Sequence, residues 1–292
     1  MATTSNGARP RTAFVLSGGG NLGVSQVGML MALLERGIRP DVIVGCSIGA
    51  YNGAAFATDP TLEKLEHLAE VWASIKSDEV FPGNRLSQAW NLLRRDDHLF
   101  ASDGLYDLFD RSGAGEDFAE LKVPLRVVAT DLYSGDEVVF ASGPLRPAVL
   151  ASAALPGIFT PVQHDGRTLV DGAVVDVVPL WHALSGPVDR VYVLNVSGPE
   201  RERPIRSPLD VAVRSFAIAR NQRFDLEMRH VPPGVDVVEL PRPDDDRELF
   251  DFRDGLTLID EARHLAVRAL DAAPAVVTGR PAGRGWWSRL WR

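Results

Sequence analysis

The sequence predicts an α/β fold in which a mostly parallel central sheet is covered by helices. Three observations carry that prediction. Two apolar runs, residues 12–17 and 41–44, each lead into a glycine-bearing turn and then a stretch with helical spacing, which makes two βα units in succession. Within them the positions 13–16 and 42–44 are consecutively apolar rather than alternating, as in strands buried on both faces. Further short apolar runs recur down the chain among longer helical patterns.

Taken in order, Thr-Ala-Phe-Val-Leu-Ser at 12–17 is a buried strand ending in glycines. From Leu22, the residues Val24, Val27, Leu30, Met31 and Leu34 recur at helix spacing until Gly37 stops the pattern. Residues 41–44 form the second strand and 48–57 the next helix, and 62–75 is amphipathic. Residues 78–118 are less regular and carry Phe81, Trp90, Phe100, Tyr106 and Phe109, for which structural packing is the commoner role and lining or capping an apolar cleft the alternative. Strands are expected at 125–131 and 137–140, then a short helix at 147–155 stopped by Pro156-Gly157. A strand at 168–170 runs into Asp171-Gly172-Ala173, followed by a strand at 190–196, a long helix at 209–230, a strand at 235–240 and a helix at 256–270. Neither an internal repeat nor a dividing linker is present. One domain is therefore expected over 12–275, between a disordered N-terminus at 1–11 and an Arg/Trp-rich tail at 276–292.

The length of 292 residues is ample for a core and a buried site. A net charge of −8 argues against nucleic acid as a partner, since such proteins carry a basic balance or stripe. The single cysteine, Cys46, excludes an intrachain disulfide and suits a reducing compartment. The first eleven residues are polar, the apolar run that follows is too short for a signal sequence, and no run approaches the ~18 apolar residues of a membrane span. A cytoplasmic protein is expected.

The chemistry centres on Ser47, in Val44-Gly45-Cys46-Ser47-Ile48-Gly49-Ala50. A serine hydroxyl is a poor nucleophile unless it is held exposed and a base takes its proton. A sharp turn between strand and helix does the first. Gly45 and Gly49 remove the Cβ atoms that would clash where that turn crosses its neighbours. The following helix aims its N-terminal N–H groups and positive dipole end at a developing oxyanion. The competing role for such a serine is to N-cap the helix. The earlier loop Gly18-Gly19-Gly20-Asn21-Leu22-Gly23 also joins a strand to a helix, so both loops belong at the carboxyl ends of neighbouring strands. Its N–H groups, Gly19 and Gly20 foremost, would form an oxyanion hole.

That loop also satisfies G-x-G-x-x-G, the dinucleotide fingerprint. Dinucleotide binding needs an acidic residue at the end of the second strand to hold ribose. Gly45-Cys46-Ser47 stands there, and Asp41 lies at the strand's beginning. The nucleotide reading fails on that position.

For the base, the chain offers His67, His98, His164, His182, His230 and His264, none in a glycine-flanked or otherwise distinctive setting. Asp171 has the better claim, because an apolar strand precedes it and Gly172 lets Ser47 approach; its competing role is that of a turn aspartate. A free aspartate of pKa about 3.9 is a weak base for serine, and burial is expected to raise it.

These stretches resemble the patatin-like phospholipase family. The matching segments are Leu16-Ser17-Gly18-Gly19-Gly20-Asn21-Leu22-Gly23, Ile43-Val44-Gly45-Cys46-Ser47-Ile48-Gly49-Ala50, Val170-Asp171-Gly172-Ala173 and the block Ala151-Ser152-Ala153-Ala154-Leu155-Pro156-Gly157. The resemblance implies a three-layer α/β/α sandwich and hydrolysis of lipid acyl esters, without metal or nucleotide cofactor. It implies Ser47 as nucleophile, Asp171 as proton acceptor and Gly18, Gly19 and Gly20 as the oxyanion loop. Leu22 departs from the arginine or lysine often found in that loop, which bears on phosphate-bearing substrates more than on hydrolysis. A second reading from another class is a catalytically weak member of the same fold, kept for lipid or partner binding.

Trp286, Trp287 and Trp291 alternate with Arg280, Arg284, Arg289 and Arg292 near the end of the chain, a pairing suited to peripheral contact with a membrane surface.

Overall fold

The computed structural model describes residues 10–75, 98–100, 103–197, 208–244 and 253–272. Strands β1 (Thr12–Leu16) and β2 (Val42–Cys46) are each followed by a helix, α1 (Val24–Glu35) and α2 (Ile48–Thr58). A one-turn 3-10 helix at Gly20–Gly23 precedes α1. The chain continues through α3 (Leu62–Ser74), β3 (His98–Phe100), α4 (Asp103–Ser112), β4 (Leu125–Asp131), β5 (Glu137–Phe140) and α5 (Leu145–Ala153). Then follow β6 (Gly157–Phe159), β7 (Val162–His164), β8 (Arg167–Asp171), α6 (Leu180–Leu184), β9 (Arg190–Leu194), α7 (Pro208–Arg229), β10 (Asp236–Glu239) and α8 (Gly255–Asp271).

Among the described residues the main sheet runs β10-β9-β1-β2-β4-β8-β7, with β5 also paired to β4. The five strands from β10 to β4 are mutually parallel. The pairs β4–β5, β4–β8 and β7–β8 are antiparallel. The mostly parallel sheet is thus present, with an antiparallel end.

Period-2 side-chain alternation divides the core in two. Phe14 and Leu16 of β1, Ile43 of β2 and Tyr192 and Leu194 of β9 face the cluster formed with α1, α2, α3 and α8. Ala13 and Val15, Val44 and Cys46, and Val191 and Val193 face the opposite cluster, with Val177, Val178, Leu180 of α6 and Phe224 of α7. Two helical layers therefore sandwich the sheet. Complete burial of a side chain such as Phe14 or Leu16 contributes on the order of 1.5–3 kcal/mol. At the α1–α8 crossing a Cβ on Gly28 would lie 2.0 Å from the Ile259 carbonyl oxygen, so the close approach depends on that glycine.

Within the less regular stretch 78–118 the structure shows an element that the sequence reading did not single out. Residues 103–112 are a helix, and Leu105, Leu108 and Phe109 bury one side of it at i, i+3, i+4 spacing. The helix expected at 147–155 begins two residues earlier and ends at Ala153. The N-terminus at 1–9 and the tail with Trp286, Trp287 and Trp291 lie outside the described residues. Among the described residues no helix is long and apolar enough to cross a membrane.

Candidate active site

The local backbone at Ser47 is strained in a way that serves exposure. Ser47 has φ 54° and ψ −123°, outside the regions an L-residue normally adopts. The turn is tight enough that a Cβ on Gly49 would lie 2.2 Å from Leu16 O, and one on Gly45 2.6 Å from Gly49 O. Ser47 sits at the N-cap position of α2, yet its side chain makes no capping bond. Its Oγ instead donates to Asp171 Oδ2 at 2.6 Å.

Asp171 ends β8 and is 2% exposed. Its Oδ1 accepts from Ala173 N at 2.8 Å, so it caps the 3-10 turn Gly172–Val174 while Oδ2 faces Ser47. The turn contact and the Ser47 contact thus use different oxygens of one carboxylate. Its main chain is fixed as well: Asp171 N donates to Ala154 O at 2.9 Å, and Thr130 Oγ1 donates to Asp171 O at 3.0 Å. A Cβ on Gly172 would lie 2.2 Å from Val128 O and 3.1 Å from Cys46 Sγ, which is why the turn can press against β4 and β2. The buried Cys46 Sγ packs 3.9 Å from Asp171 Oδ1.

The glycine loop lies against Ser47: a Cβ on Gly18 would be 3.2 Å from Ser47 Cβ. Gly18 donates its N–H to Val177 O at 2.9 Å, which removes it as an oxyanion donor and corrects that part of the expectation. Gly20 has φ 58°. Gly23 packs on the start of α2, where a Cβ would meet Ile48 Cγ1 at 2.3 Å. Leu22 is half-buried against the larger core cluster.

Both ends of the loop are held from beneath by a buried polar chain. Trp72 Nε1 donates to Asn52 Oδ1 at 2.9 Å, and Asn52 Nδ2 donates to Gly23 O at 2.8 Å and Gln26 Oε1 at 2.9 Å. Gln26 Nε2 in turn donates to Ser17 O at 2.8 Å and Leu194 O at 3.1 Å. Every link is buried, so each bond counts for more than it would in water.

Residues 14–184, more than half of the chain, match the family model described as patatin-like phospholipase. The chain belongs to the patatin-like phospholipase family. It is 31% identical over 197 residues to an "uncharacterized NTE family protein" of Mycobacterium bovis, covering 65% of this chain and 50% of that protein. It is 31% identical over 186 residues to the rat "patatin-like phospholipase domain-containing protein 7", covering 63% of this chain and 13% of that one. A "lysophospholipase NTE1" of Cryptococcus neoformans is 30% identical over 198 residues, covering 65% and 11% respectively. The chain thus spans half or less of the length of these curated relatives.

Within this patatin-like site the described histidine side chains all find partners other than Ser47. His67 meets Arg111 O, His164 the ring of Phe140, His182 the Glu137 carboxylate, His230 Leu226 O and His264 Asp260 O. The side chain of His98 lies outside the described residues.

One residue of the site went unassigned from sequence. Ser152 on α5, fully buried, accepts the N–H of Ser47 at 2.8 Å and donates to Val128 O at 2.6 Å. Its signal was its place in the Ala151–Gly157 block, but nothing local distinguishes it from an ordinary helix serine. A second group surfaces behind the Gly172–Val174 turn. There Asp176 is buried, and its carboxyl is pushed up to about 8, first by burial and next by the nearby Glu227 charge, against the pull of Arg223.

Proposed function

We propose that this chain is a lipid acyl hydrolase that cleaves carboxylic esters through a Ser47–Asp171 dyad. The contact of 2.6 Å between Ser47 Oγ and Asp171 Oδ2 carries the reading. Asp171 Oδ2 takes the Ser47 proton as Oγ attacks the acyl carbonyl carbon. Negative charge gathers on the former carbonyl oxygen, where N–H groups of Gly19 and Gly20 and the N-terminal turn of α2 supply donors. Collapse of the tetrahedral intermediate expels the alcohol, which receives the proton from Asp171. The acyl-Ser47 ester is then attacked by a water that gives a proton to the same carboxylate; the acyl C–Oγ bond breaks, the fatty acid leaves, and Asp171 returns that proton to Ser47 Oγ.

A lipid as the acyl donor follows from the family, and from a relative whose name is lysophospholipase. Leu22 brings no positive charge to the loop, which favours substrates whose recognition does not depend on a phosphate at that point. Contact with a lipid surface belongs to the same reading.

The test is labelling with an activity-based fluorophosphonate, alongside hydrolysis of a p-nitrophenyl ester. The expected label maps to Ser47, and Ser47→Ala loses both label and hydrolysis. Hydrolysis persisting in Ser47→Ala would overturn the proposal. A wild-type protein that takes no label and turns over no ester would instead leave a lipid-binding role.

A further inference from the structure

Five residues from four elements converge behind the turn that holds Asp171. Glu137 begins β5, Asp176 follows the Gly172–Val174 turn, His182 lies on α6, and Arg223 and Glu227 lie one helical turn apart on α7. His182 Nε2 is 2.9 Å from Glu137 Oε2 and 3.9 Å from Asp176 Oδ2. The donor atoms of Glu137, Asp176 and His182 all lie within 4.8 Å of one another.

Arg223 answers only part of this charge. Its Nε bonds Glu227 Oε1 at 2.9 Å and its Nη1 contacts Glu137 Oε1. Its Nη2 is 3.5 Å from Asp176 Oδ2, and no donor hydrogen-bonds that buried oxygen. The Asp176 side chain is 1% exposed, so Oδ2 is a buried acceptor aimed at the imidazole and the second carboxylate without a hydrogen bond. A buried carboxylate oxygen in that state is costly unless a cation or proton answers it.

We propose that Glu137, Asp176 and His182 form a binding site for a divalent transition metal of the zinc type. The donor set, one imidazole nitrogen and two carboxylate oxygens, is one such ions accept. Bonds of ~2.0–2.2 Å in tetrahedral geometry place donors about 3.4 Å apart, between the two separations that His182 Nε2 makes here. Glu137 turns Oε1 to Arg223 while Oε2 faces the site, and at Asp176 Oδ2 the nearest guanidinium nitrogen stands back at 3.5 Å. With side chains of Glu137 and His182 20% and 16% exposed, an ion has a way in.

Asp176 N also donates to Gly172 O at 2.8 Å, so a metal on Asp176 would brace the turn whose Ala173 N–H holds Asp171. The site stands apart from Ser47, and its test does not depend on hydrolysis.

The experiment is calorimetric titration of Zn2+ into the chelator-stripped, full-length chain, together with thermal melts. One equivalent is expected to bind in the micromolar range or tighter, and ~100 µM Zn2+ to raise Tm by several degrees. Asp176→Asn and His182→Gln should each weaken binding at least ~10-fold, while Ser47→Ala and the remote His264→Gln bind as wild type. Melts in chelator establish that the variants are folded; should Asp176→Asn not fold, the less deeply buried His182→Gln decides. No saturable Zn2+ binding by the wild type, or binding unchanged in the folded ligand variants, would overturn the proposal.

Discussion

Cys46 and Asp171 oppose adjacent residues of β4, Val128 and Ala129, although 125 positions separate them in the chain. Val128 has Val139 of β5 across its other edge, and Ala129 has Val138. Strands β2 and β8 must therefore share a single edge of β4, one parallel to it and one antiparallel, meeting end to end. Ser47 continues from the end of β2 and Asp171 closes β8. The two meet because β4 sets their register, and their 2.6 Å bond follows from sheet pairing as well as from side-chain choice.

The first prediction concerns the base. Asp171→Asn keeps an oxygen for the Ala173 N–H and so should melt within a few degrees of wild type. It cannot take a proton from Ser47, and kcat for ester hydrolysis should fall by about 10²–10⁴. Near wild-type turnover in this variant would require a different base.

Ser152 offers a separate test. Ser152→Ala leaves the Ser47 N–H without its acceptor and Val128 O without that donor, both in the interior. The expected cost is about 1–3 kcal/mol of stability, read by denaturant melts. Because the lost bond anchors a strained nucleophile, kcat should drop roughly 10- to 100-fold while KM holds. A fall in stability with kcat unchanged would show that Ser152 serves packing alone.

Two glycines should behave differently when replaced by alanine. A Cβ on Gly49 would sit 2.2 Å from Leu16 O, a backbone atom of a central strand. Gly49→Ala should therefore cost at least ~3 kcal/mol or prevent folding, seen as insoluble expression or a collapsed melting transition. A Cβ on Gly18 would touch Ser47 Cβ at 3.2 Å and Val177 Cγ2 at 3.3 Å, neighbours able to shift by tenths of an ångström. Gly18→Ala should fold with a modestly lower Tm and lose activity more than stability.

The pH dependence of stability should carry a contribution from Glu239. Burial, opposed by the hydrogen bond from Asn195 and aided by Asp225, holds its carboxyl above the usual carboxylate range. The folded state then keeps the proton over a window in which the unfolded chain has lost it. Stability from this group is present below the unfolded value, near 4.5, and declines as pH rises through the folded one. Glu239→Gln keeps a carbonyl oxygen for Asn195 and removes that decline. Its Tm should match wild type near pH 4 and exceed it by pH 7; equal melting curves at both pH values would refute this account.

Much of the fold was legible because its signals are local. The βα units at 12–34 and 42–58 announce themselves by a buried apolar run, a glycine turn and helical spacing, and each forms where expected. Helix 103–112 carries a usable pattern in Leu105, Leu108 and Phe109, yet charged residues and glycines around it hide its period. Strands β6 and β7 are three residues each, too short for alternation to register. The antiparallel setting of β8 has no local signature at all, since an apolar run does not encode the direction of its neighbour.

For the site, the sequence by itself picked out Ser47, Asp171 and the glycines at 45, 49 and 172. Nucleophile exposure and close backbone approach demand particular residue types at particular spacings, and those demands are local. Tertiary structure alone decided the rest. It gave the Gly18 N–H to Val177 O, placed Ser152 under Ser47, and gathered Glu137, Asp176 and His182 behind the Gly172–Val174 turn. Each of these depends on which distant strand or helix lies alongside. That is settled by long-range pairing and burial, which no short window of residues contains.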